Sequence, residues 1–504
     1  MLAIADINDL QTAKQVALLL DRENARLVSR LEDLTRRIAA LEGGEGAQVL
    51  LLELEELQQQ NAKLKKMLFA ASSERRAHED TPTTAKPPRK GHGPRQQPGL
   101  PIVEVRHELP AEKLGRCDGC QGEIGQWDGQ TEDSELITVV RRSFKVEQHR
   151  RQKYRCRCGE SIVTAPAPAR LIEGGRYSVE FGVEVALDKY LNHLPLDRQR
   201  KMMRREGLEI TTATLYDQIE AVAGCLRPAW NGIKSQILSE PMIGADETRW
   251  RLIVSPESEI WQSWVIASPR AAYYEILPSR SANAGSELLA GYQGVVMADG
   301  YGAYPAIARG SPGMSLVHCW AHVRRKFVEI EPFYPVECKT ILGLIAKLYD
   351  IDRSLPAVPG PADSDRDRVL AIRLAERRER SSPLLQEILT WVAGLRLTRE
   401  SALRKAVEYM TDRWQGLTRF VDDPRVPLDN NHVERAIRPV ALGRKNHLGS
   451  KSPRGVETTA ILYTVIETAK LAGVDPRAYV QAAVRAALET PRRVLLPSDL
   501  SAGS

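Results

Sequence analysis

Apolar residues recur with two different periods along this chain, and the change of period divides it. Over residues 10–70 they follow a heptad. Leu20, Leu27, Leu34 and Leu41 recur every seven positions, with Ala17, Asn24, Leu31 and Ile38 three residues ahead of each. Those are the d and a positions of a coiled coil, with Asn24 as the buried polar residue that fixes register and strand number. Gly43, Gly44 and Gly46 interrupt the pattern, which resumes with Leu50, Leu57 and Leu64 at d and Leu54, Asn61 and Leu68 at a. Residues 1–80 are expected to be a coiled coil that joins copies of the chain. The alternative is a pair of amphipathic helices folded back at the glycines.

Residues 81–100 carry five prolines, four cations and no acid, so an extended basic linker is expected. Residues 101–172 contain the strand-like stretches Glu135–Phe144 and Glu147–Tyr154. Residues 173–238 read as wholly helical. Within them one helix carrying Arg198, Arg200, Lys201, Arg204 and Arg205 ends near Glu206, and a second starts at Thr211 or Thr212. A short connection containing Gly207 suits a helix-turn-helix that binds DNA, and equally an ordinary helical hairpin.

From Pro241 the period shortens. Pro241–Val254, Glu259–Ala267 and Ala272–Leu277 read as strands, Ser281–Ala290 as a helix, and residues 294–298 as a short buried strand ending at Asp299. A strand at Ser315–Cys319 and a helix at Ala321–Val328 follow. Three strands, helix, strand, helix, strand is the order of a ribonuclease H-like fold. The first and fourth strands are neighbours there, which would set Asp246 beside Asp299. The fold class is therefore multidomain α+β.

Four of the seven cysteines fall in two tight pairs, Cys117 with Cys120 and Cys156 with Cys158. Such pairs close turns around one tetrahedral zinc, here a structural ion in a zinc-ribbon-like unit. The alternative is four buried free thiols. His318 and His322 flank Cys319, but core or DNA-contacting roles are expected of them rather than a second zinc. Cys225 and Cys338 read as ordinary buried thiols.

Net charge is +6, and it is unevenly placed. Arg435, Arg438, Arg444, Lys445, Lys451 and Arg454 fall within one stretch that holds no acid. Clustered cations favour a polyanion, although a solvated surface loop has the same composition. No apolar run approaches the ~20 residues that span a bilayer. The N-terminal stretch lacks the pattern of a signal peptide, so a cytoplasmic, nucleoid-associated protein with no membrane partner is expected.

Two adjacent carboxylates repel, and a shared divalent cation relieves the repulsion. Magnesium or manganese held by carboxylates, two ions about 3.5–4 Å apart, is the chemistry of two-metal nucleases. Glu434, in the first turn of a helix after Pro427 and an Asp/Asn run, is the candidate third carboxylate. Asn431 with Glu434 also fits a capping box, and Asp246 and Asp299 each fit a turn.

Several stretches together resemble the IS-sixty-six family of insertion-sequence transposases, in the DDE superfamily. They are residues 244–250 around Asp246, 298–301 around Asp299, 318–327 from His318 to Phe327, and 427–439 around Glu434. To these add 443–446, 466–470 and 473–476. The resemblance runs over nearly the whole chain and implies that Asp246, Asp299 and Glu434 form the acidic triad. It also implies a helical insertion, placed at residues 331–424 around a Pro/Asp-rich break at 355–367. The catalytic domain would then occupy 239–330 and 425–472, with a helical tail at 473–504. His447-Leu448 departs from the family pattern after Asn446.

The expected function is binding of the element's terminal inverted repeats, then metal-dependent strand cleavage and transfer into target DNA. Besides the 435–454 cations, Arg324, Arg325 and Lys326 are expected DNA contacts, and small accessory proteins of the same element are possible partners. Two rivals are a zinc-containing coiled-coil regulator with an inactive nuclease fold, and a ribonuclease H-type nuclease that cuts without joining.

Overall fold

The computed structural model describes residues 142–155, 162–254, 258–360, 363–397, 401–491 and 493–501, together with 26, 29, 30, 33, 103, 104, 116, 118–123 and 137. The heptads and the basic linker lie outside these residues, apart from helical backbone at 26, 29, 30 and 33. Of the paired cysteines only Cys120 is described; it is an exposed free thiol. The chain divides into two units, residues 64–142 and the remainder. In the smaller unit Arg116 and Glu123 form an antiparallel bridge around a turn at 118–120.

From residue 143 the larger unit is at first irregular. The strand expected over Glu147–Tyr154 forms only at its end, where β1 (Lys153–Arg155) pairs antiparallel with β2 (Ile162–Thr164). Residues 144–152 lack a paired strand among the described residues, and Val146 is 82% exposed. Without a ladder to satisfy its backbone, β-propensity alone does not make a strand. Three helices follow: α1 (Val179–Tyr190), α2 (Leu196–Arg205) and α3 (Thr212–Leu238). Gly207, at φ +86°, makes the left-handed turn between the last two, and Thr211 caps α3 by accepting the Thr214 N–H.

Five strands form the central sheet in the order β5-β4-β3-β6-β7. They are β3 (Met242–Ile253), β4 (Ser258–Ala267), β5 (Ala272–Leu277), β6 (Val295–Ala298) and β7 (Ser315–His318). Strands β3, β4 and β5 run antiparallel, and β6 and β7 run parallel to β3. Helix α4 (Ala282–Leu288) precedes β6, and α5 (Ala303–Gly310) connects β6 to β7.

Alternate side chains of β6 explain why its sequence is uniformly apolar. Val296 and Ala298 enter a core shared with α1, α3 and the C-terminal helices, whereas Val295 and Met297 enter a second core made by a helical segment. A strand covered on both faces has no polar side. The helical segment comprises α6 (Trp320–Ile330), α7 (Pro335–Ser354), α8 (Arg366–Glu376), α9 (Ser382–Gly394), α10 (Ala402–Thr411) and α11 (Trp414–Thr418).

The chain then returns to the sheet as α12 (Asn431–His447), α13 (Pro453–Leu471) and α14 (Pro476–Glu489), and ends with the short α15 (Pro497–Ser501). Helix α13 is buried almost all round and covers the edge strand. Thr464 Oγ1 accepts the Tyr274 N–H at 2.9 Å, and Thr468 Oγ1 accepts the Ala272 N–H at 3.2 Å. Two threonines one turn apart thus satisfy the free edge of β5, which would otherwise template further strands. Residues 173–238 and 473–504 share this core with the sheet rather than building cores of their own. No helix among the described residues is long and apolar enough to cross a membrane.

Candidate functional site

Strand pairing brings the first two carboxylates together. Residues 242, 243 and 244 pair with 295, 296 and 297, and the same parallel register carried two residues further sets Asp246 beside Asp299. Each anchors one oxygen locally. Asp246 Oδ1 accepts the Glu247 N–H at 2.8 Å, and Asp299 Oδ1 accepts the Tyr301 N–H at 2.9 Å. The second bond is an Asx turn, which the Asp-Gly sequence favours. In both residues Oδ2 is left without a protein donor among the described residues.

The third carboxylate is delivered by a docked helix start. Asn430, fully buried before α12, donates through Nδ2 to the carbonyl of Ala245 at 3.1 Å, and its N–H points to Cys319 Sγ at 3.3 Å. The preceding Leu428 carbonyl accepts the Trp320 N–H at 2.9 Å. The first turn of α12 is thereby pinned to β3 one residue before Asp246. Glu434 does not close a capping box here. The Asn431 N–H is taken by Asp429 Oδ1 at 3.1 Å, and Glu434 Oε1 is buried with no hydrogen-bond partner.

Electrostatics ties the three together. Burial pushes the Asp246 carboxyl up to about 7, and the charges of Glu247, Asp299 and Glu434 add to the shift against the pull of the Glu247 N–H. A carboxylate held this high at neutral pH lacks a counter-charge. The donors offered are hard oxygens, the set that magnesium and manganese take.

Glu247 projects to the opposite face from Asp246, as strand alternation requires. Its side chain is fully buried, accepting from Arg280 Nε at 2.7 Å and from Tyr304 hydroxyl at 2.6 Å. Arg280 in turn lies 3.6 Å over the Tyr301 ring, and the Tyr301 hydroxyl donates to the Arg280 carbonyl at 3.0 Å. The strand of Asp246 is thus braced to the turn of Asp299. Periodicity and spacing alone do not single out Glu247, Arg280 or Asn430. Acid beside acid in Asp246-Glu247 was a visible signal, because one of an adjacent pair on a strand must face the core.

Histidines crowd the same place. His318, at the end of β7, is driven down to about 4 by burial and by Arg413, so its ring is neutral at physiological pH. His322 Nε2 lies 3.7 Å from Glu434 Oε1, and Arg325 Nη2 lies 3.9 Å from Oε2. Cys319, His322 and Glu434 each offer a ligand atom within 4.8 Å of the others. The Cys319 thiol is pushed up to about 12 by burial, so it stays protonated.

The expected DNA-contacting cations separate into two groups. Arg444 turns inward, donating to the Arg249 carbonyl and to Thr248 Oγ1 at 3.3 Å. Arg454 pairs through two nitrogens, Nε and Nη2, with Glu220. By contrast Arg435, Arg438, Lys445 and Lys451 are exposed, with no ion-pair partner among the described residues. On α6 Arg324 and Lys326 are exposed, with the Lys326 ammonium 5.5 Å over the Tyr409 ring.

Taken together, the mixed α/β architecture and the converging carboxylates define a protein with an acidic site at the heart of a central sheet. The family model described as the transposase IS66 family matches residues 174–458. The chain belongs to that family. It is 32% identical over 401 residues to the uncharacterized protein y4jD of Sinorhizobium fredii, covering 76% of each chain. A second relative, the uncharacterized protein y4qI of the same organism, is 30% identical over 420 residues, covering 80% of this chain and 74% of the other. The matched stretch runs from just before α1 into the start of α13 and contains Asp246, Asp299 and Glu434.

Proposed function

We propose that this transposase works by divalent-metal-dependent DNA cleavage and strand transfer, with Asp246, Asp299 and Glu434 as the metal-holding triad on a ribonuclease H-like sheet. One observation carries the reading: three carboxylates from three separate elements converge closely enough that the charges of Asp299 and Glu434 raise the Asp246 carboxyl. Like charges assembled at such a cost are a functional arrangement more often than a structural one.

Two magnesium or manganese ions held there would activate the attacking oxygen and neutralise the leaving one. Asp246 and Asp299 present the oxygens not used by their local turns, and Glu434 presents Oε1. In the first step a water oxygen attacks phosphorus at the element's end, and the bond from phosphorus to the 3′ oxygen breaks, freeing a 3′-hydroxyl. In the second step that hydroxyl attacks a target phosphodiester, a new P–O bond forms, and the target's own 3′ oxygen leaves. Bond count and charge are conserved, so no energy-carrying cofactor is needed. Arg435, Arg438 and Lys445, along one exposed face of the helix that carries Glu434, hold phosphates near the reacting centre.

End recognition belongs to the α2–α3 pair and to the cysteine-rich stretch, for which the spacing of Cys117, Cys120, Cys156 and Cys158 would suit one structural zinc. Residues 1–80 join copies of the chain for synapsis of two ends. The test is a strand-transfer assay with the element's own terminal repeats in magnesium or manganese. Joined products that vanish in Asp246→Asn, Asp299→Asn and Glu434→Gln support the triad. Cleavage without joining makes the protein a nuclease, and metal-independent binding alone makes it a regulator.

A further inference from the structure

We infer that His322 is a ligand of the ion held at Glu434, so that this side of the site is a mixed imidazole–carboxylate position rather than an all-oxygen one. The inference rests on the metal-dependent reading above and adds to it a nitrogen donor.

The geometry points this way from three directions. First, Glu434 Oε1 is buried and receives no hydrogen bond, and His322 Nε2 stands off at 3.7 Å. That separation is too long for a hydrogen bond. Donors ~2.1 Å from one octahedral ion and at right angles to each other lie about 3 Å apart. The pair needs only a small closing movement to share an ion, whereas a bare oxygen facing a bare nitrogen otherwise stabilises neither.

Second, the two side chains come from rigid neighbours. His322 is in the first turn of α6, whose start is fixed to the segment leading into α12 by the bond from Trp320 N–H to the Leu428 carbonyl. Glu434 is in the first turn of α12, fixed through Asn430 to β3 and to Cys319. The donors therefore keep their spacing without help from each other. Third, Arg325 faces the far oxygen, Oε2, in a loose ion pair at 3.9 Å, so Oε1 is the oxygen turned to the imidazole.

Cys319 lies in the same cluster, but soft sulfur is a poor donor to magnesium or manganese. Its thiol is buried and accepts the Asn430 N–H, so its role is to hold the start of α12. A nitrogen–oxygen set without thiolate shifts preference from magnesium toward manganese.

The test uses the full chain loaded with manganese alone, in the absence of DNA, and reads the nitrogen coupling to bound Mn²⁺ by electron spin-echo spectroscopy. The wild-type protein should show imidazole-nitrogen modulation, and histidine labelled with nitrogen-15 should replace it with the nitrogen-15 pattern. His322→Asn should abolish the modulation and raise the Mn²⁺ Kd roughly tenfold or more, by the scale of shell perturbations at metal sites. His322→Asp should retain Mn²⁺ while narrowing its preference over Mg²⁺, which covers the case in which the asparagine variant folds poorly. Mn²⁺ that depends on Glu434 (lost in Glu434→Gln) yet shows no nitrogen coupling in the wild type would overturn the His322 assignment alone. Mn²⁺ binding that is absent, or that survives Glu434→Gln, would overturn the triad reading and this inference together.

Discussion

Gly244 lies directly beneath Asn430. A β-carbon at 244 would stand 2.4 Å from Asn430 Oδ1, 2.3 Å from Val433 Cγ2 and 2.9 Å from His432 Nε2. The helix that carries Glu434 can approach β3 this closely only over a residue with no side chain. Gly244→Ala should push the start of α12 outward and cost about 1–3 kcal/mol, the range for overpacking a filled site. Thermal unfolding measures the cost. Cleavage activity should fall further than the folded fraction does, because the displaced helix carries Glu434, the proposed metal ligand. A variant with wild-type melting and wild-type activity would show that the docking is looser than the contact distances require.

Glu434→Gln separates the chemical role from a capping role. Glutamine caps a helix almost as well as glutamate, so a pure cap would leave strand transfer near normal. Because the Asn431 N–H is already taken by Asp429, the substitution should leave the melting temperature almost unchanged while metal-dependent cleavage disappears. Binding of the terminal repeats without metal should survive. Wild-type-like joining by this variant would remove Glu434 from the site.

Much of this site was legible in the sequence because strand order is local information. Short apolar runs punctuated by turn residues located β3 to β7 within a residue or two, and the end of a fully apolar run marked Asp299. The placement of Glu434 relied on a motif rather than on periodicity, because 134 residues of chain separate it from Asp299. What pattern did not disclose is what depends on contacts between distant segments. Asn430 reads as one more turn residue, and only the docked fold shows its amide on the Ala245 carbonyl. Arg444 and Arg454 read as free cations until their partners, Arg249 carbonyl and Glu220, arrive from strands and helices some 200 residues away. Charge runs do not reveal which members are already paired.

Asp246 gives the apo site a pH signature. Its carboxyl is raised to about 7 by burial and by neighbouring negative charge. In the unfolded chain it ionises near 4. A raised folded pKa contributes stability that is fully present below the unfolded value and is lost as pH rises through the folded one. Metal-free protein should therefore lose stability between about pH 4 and pH 7 through this group, and Asp246→Asn should not. At pH 8 the asparagine variant should be the more stable by on the order of 1–3 kcal/mol. If Asp246 holds metal as proposed, added Mg²⁺ should reverse the ranking by binding the ionised wild-type carboxylate. Denaturant titrations at pH 5 and pH 8, with and without Mg²⁺, check each sign. A wild type that outlasts the variant at pH 8 without metal would contradict it.

Arg377 links the helical segment to the third carboxylate. It is fully buried, pairs with Asp352 at 2.6 Å, and donates to the carbonyls of Phe420 and Val426 at 3.0 and 2.9 Å. Those carbonyls belong to the strand of chain that runs into Leu428 and Asn430. Arg377→Met should leave Asp352 to Arg373 alone, which pairs with it at 2.8 Å, and strip the buried Phe420 and Val426 carbonyls of a donor, at a cost of about 1–3 kcal/mol. Arg377→Lys keeps the charge but not the fork of donors, and should recover only part of that loss. Equal stability of the lysine variant and the wild type, measured by chemical denaturation, would show that charge rather than the several directed bonds matters here.

The cations of α12 and of the start of α13 should behave as two classes in DNA binding. Each phosphate contact on duplex DNA contributes about 0.9 to the slope of log affinity against log salt. Arg435, Arg438 and Lys445 are exposed and have no ion-pair partner among the described residues, so replacing any one with alanine should weaken binding and flatten that slope by about one contact. Arg454 is held by Glu220 at the surface, and releasing it for DNA would mean giving up a two-nitrogen pair. Arg454→Ala should therefore leave the slope nearly unchanged. Arg444 donates inward to the Arg249 carbonyl and Thr248, so its alanine variant should lower the melting temperature more than it changes the salt dependence. Salt titrations of end binding in metal-free buffer distinguish the classes, with Glu220→Gln as the control that frees Arg454. If Arg444→Ala removes a full contact from the slope without loss of stability, the arginine leaves its inward position on DNA, and the phosphate path crosses β3 rather than following the outer face of α12.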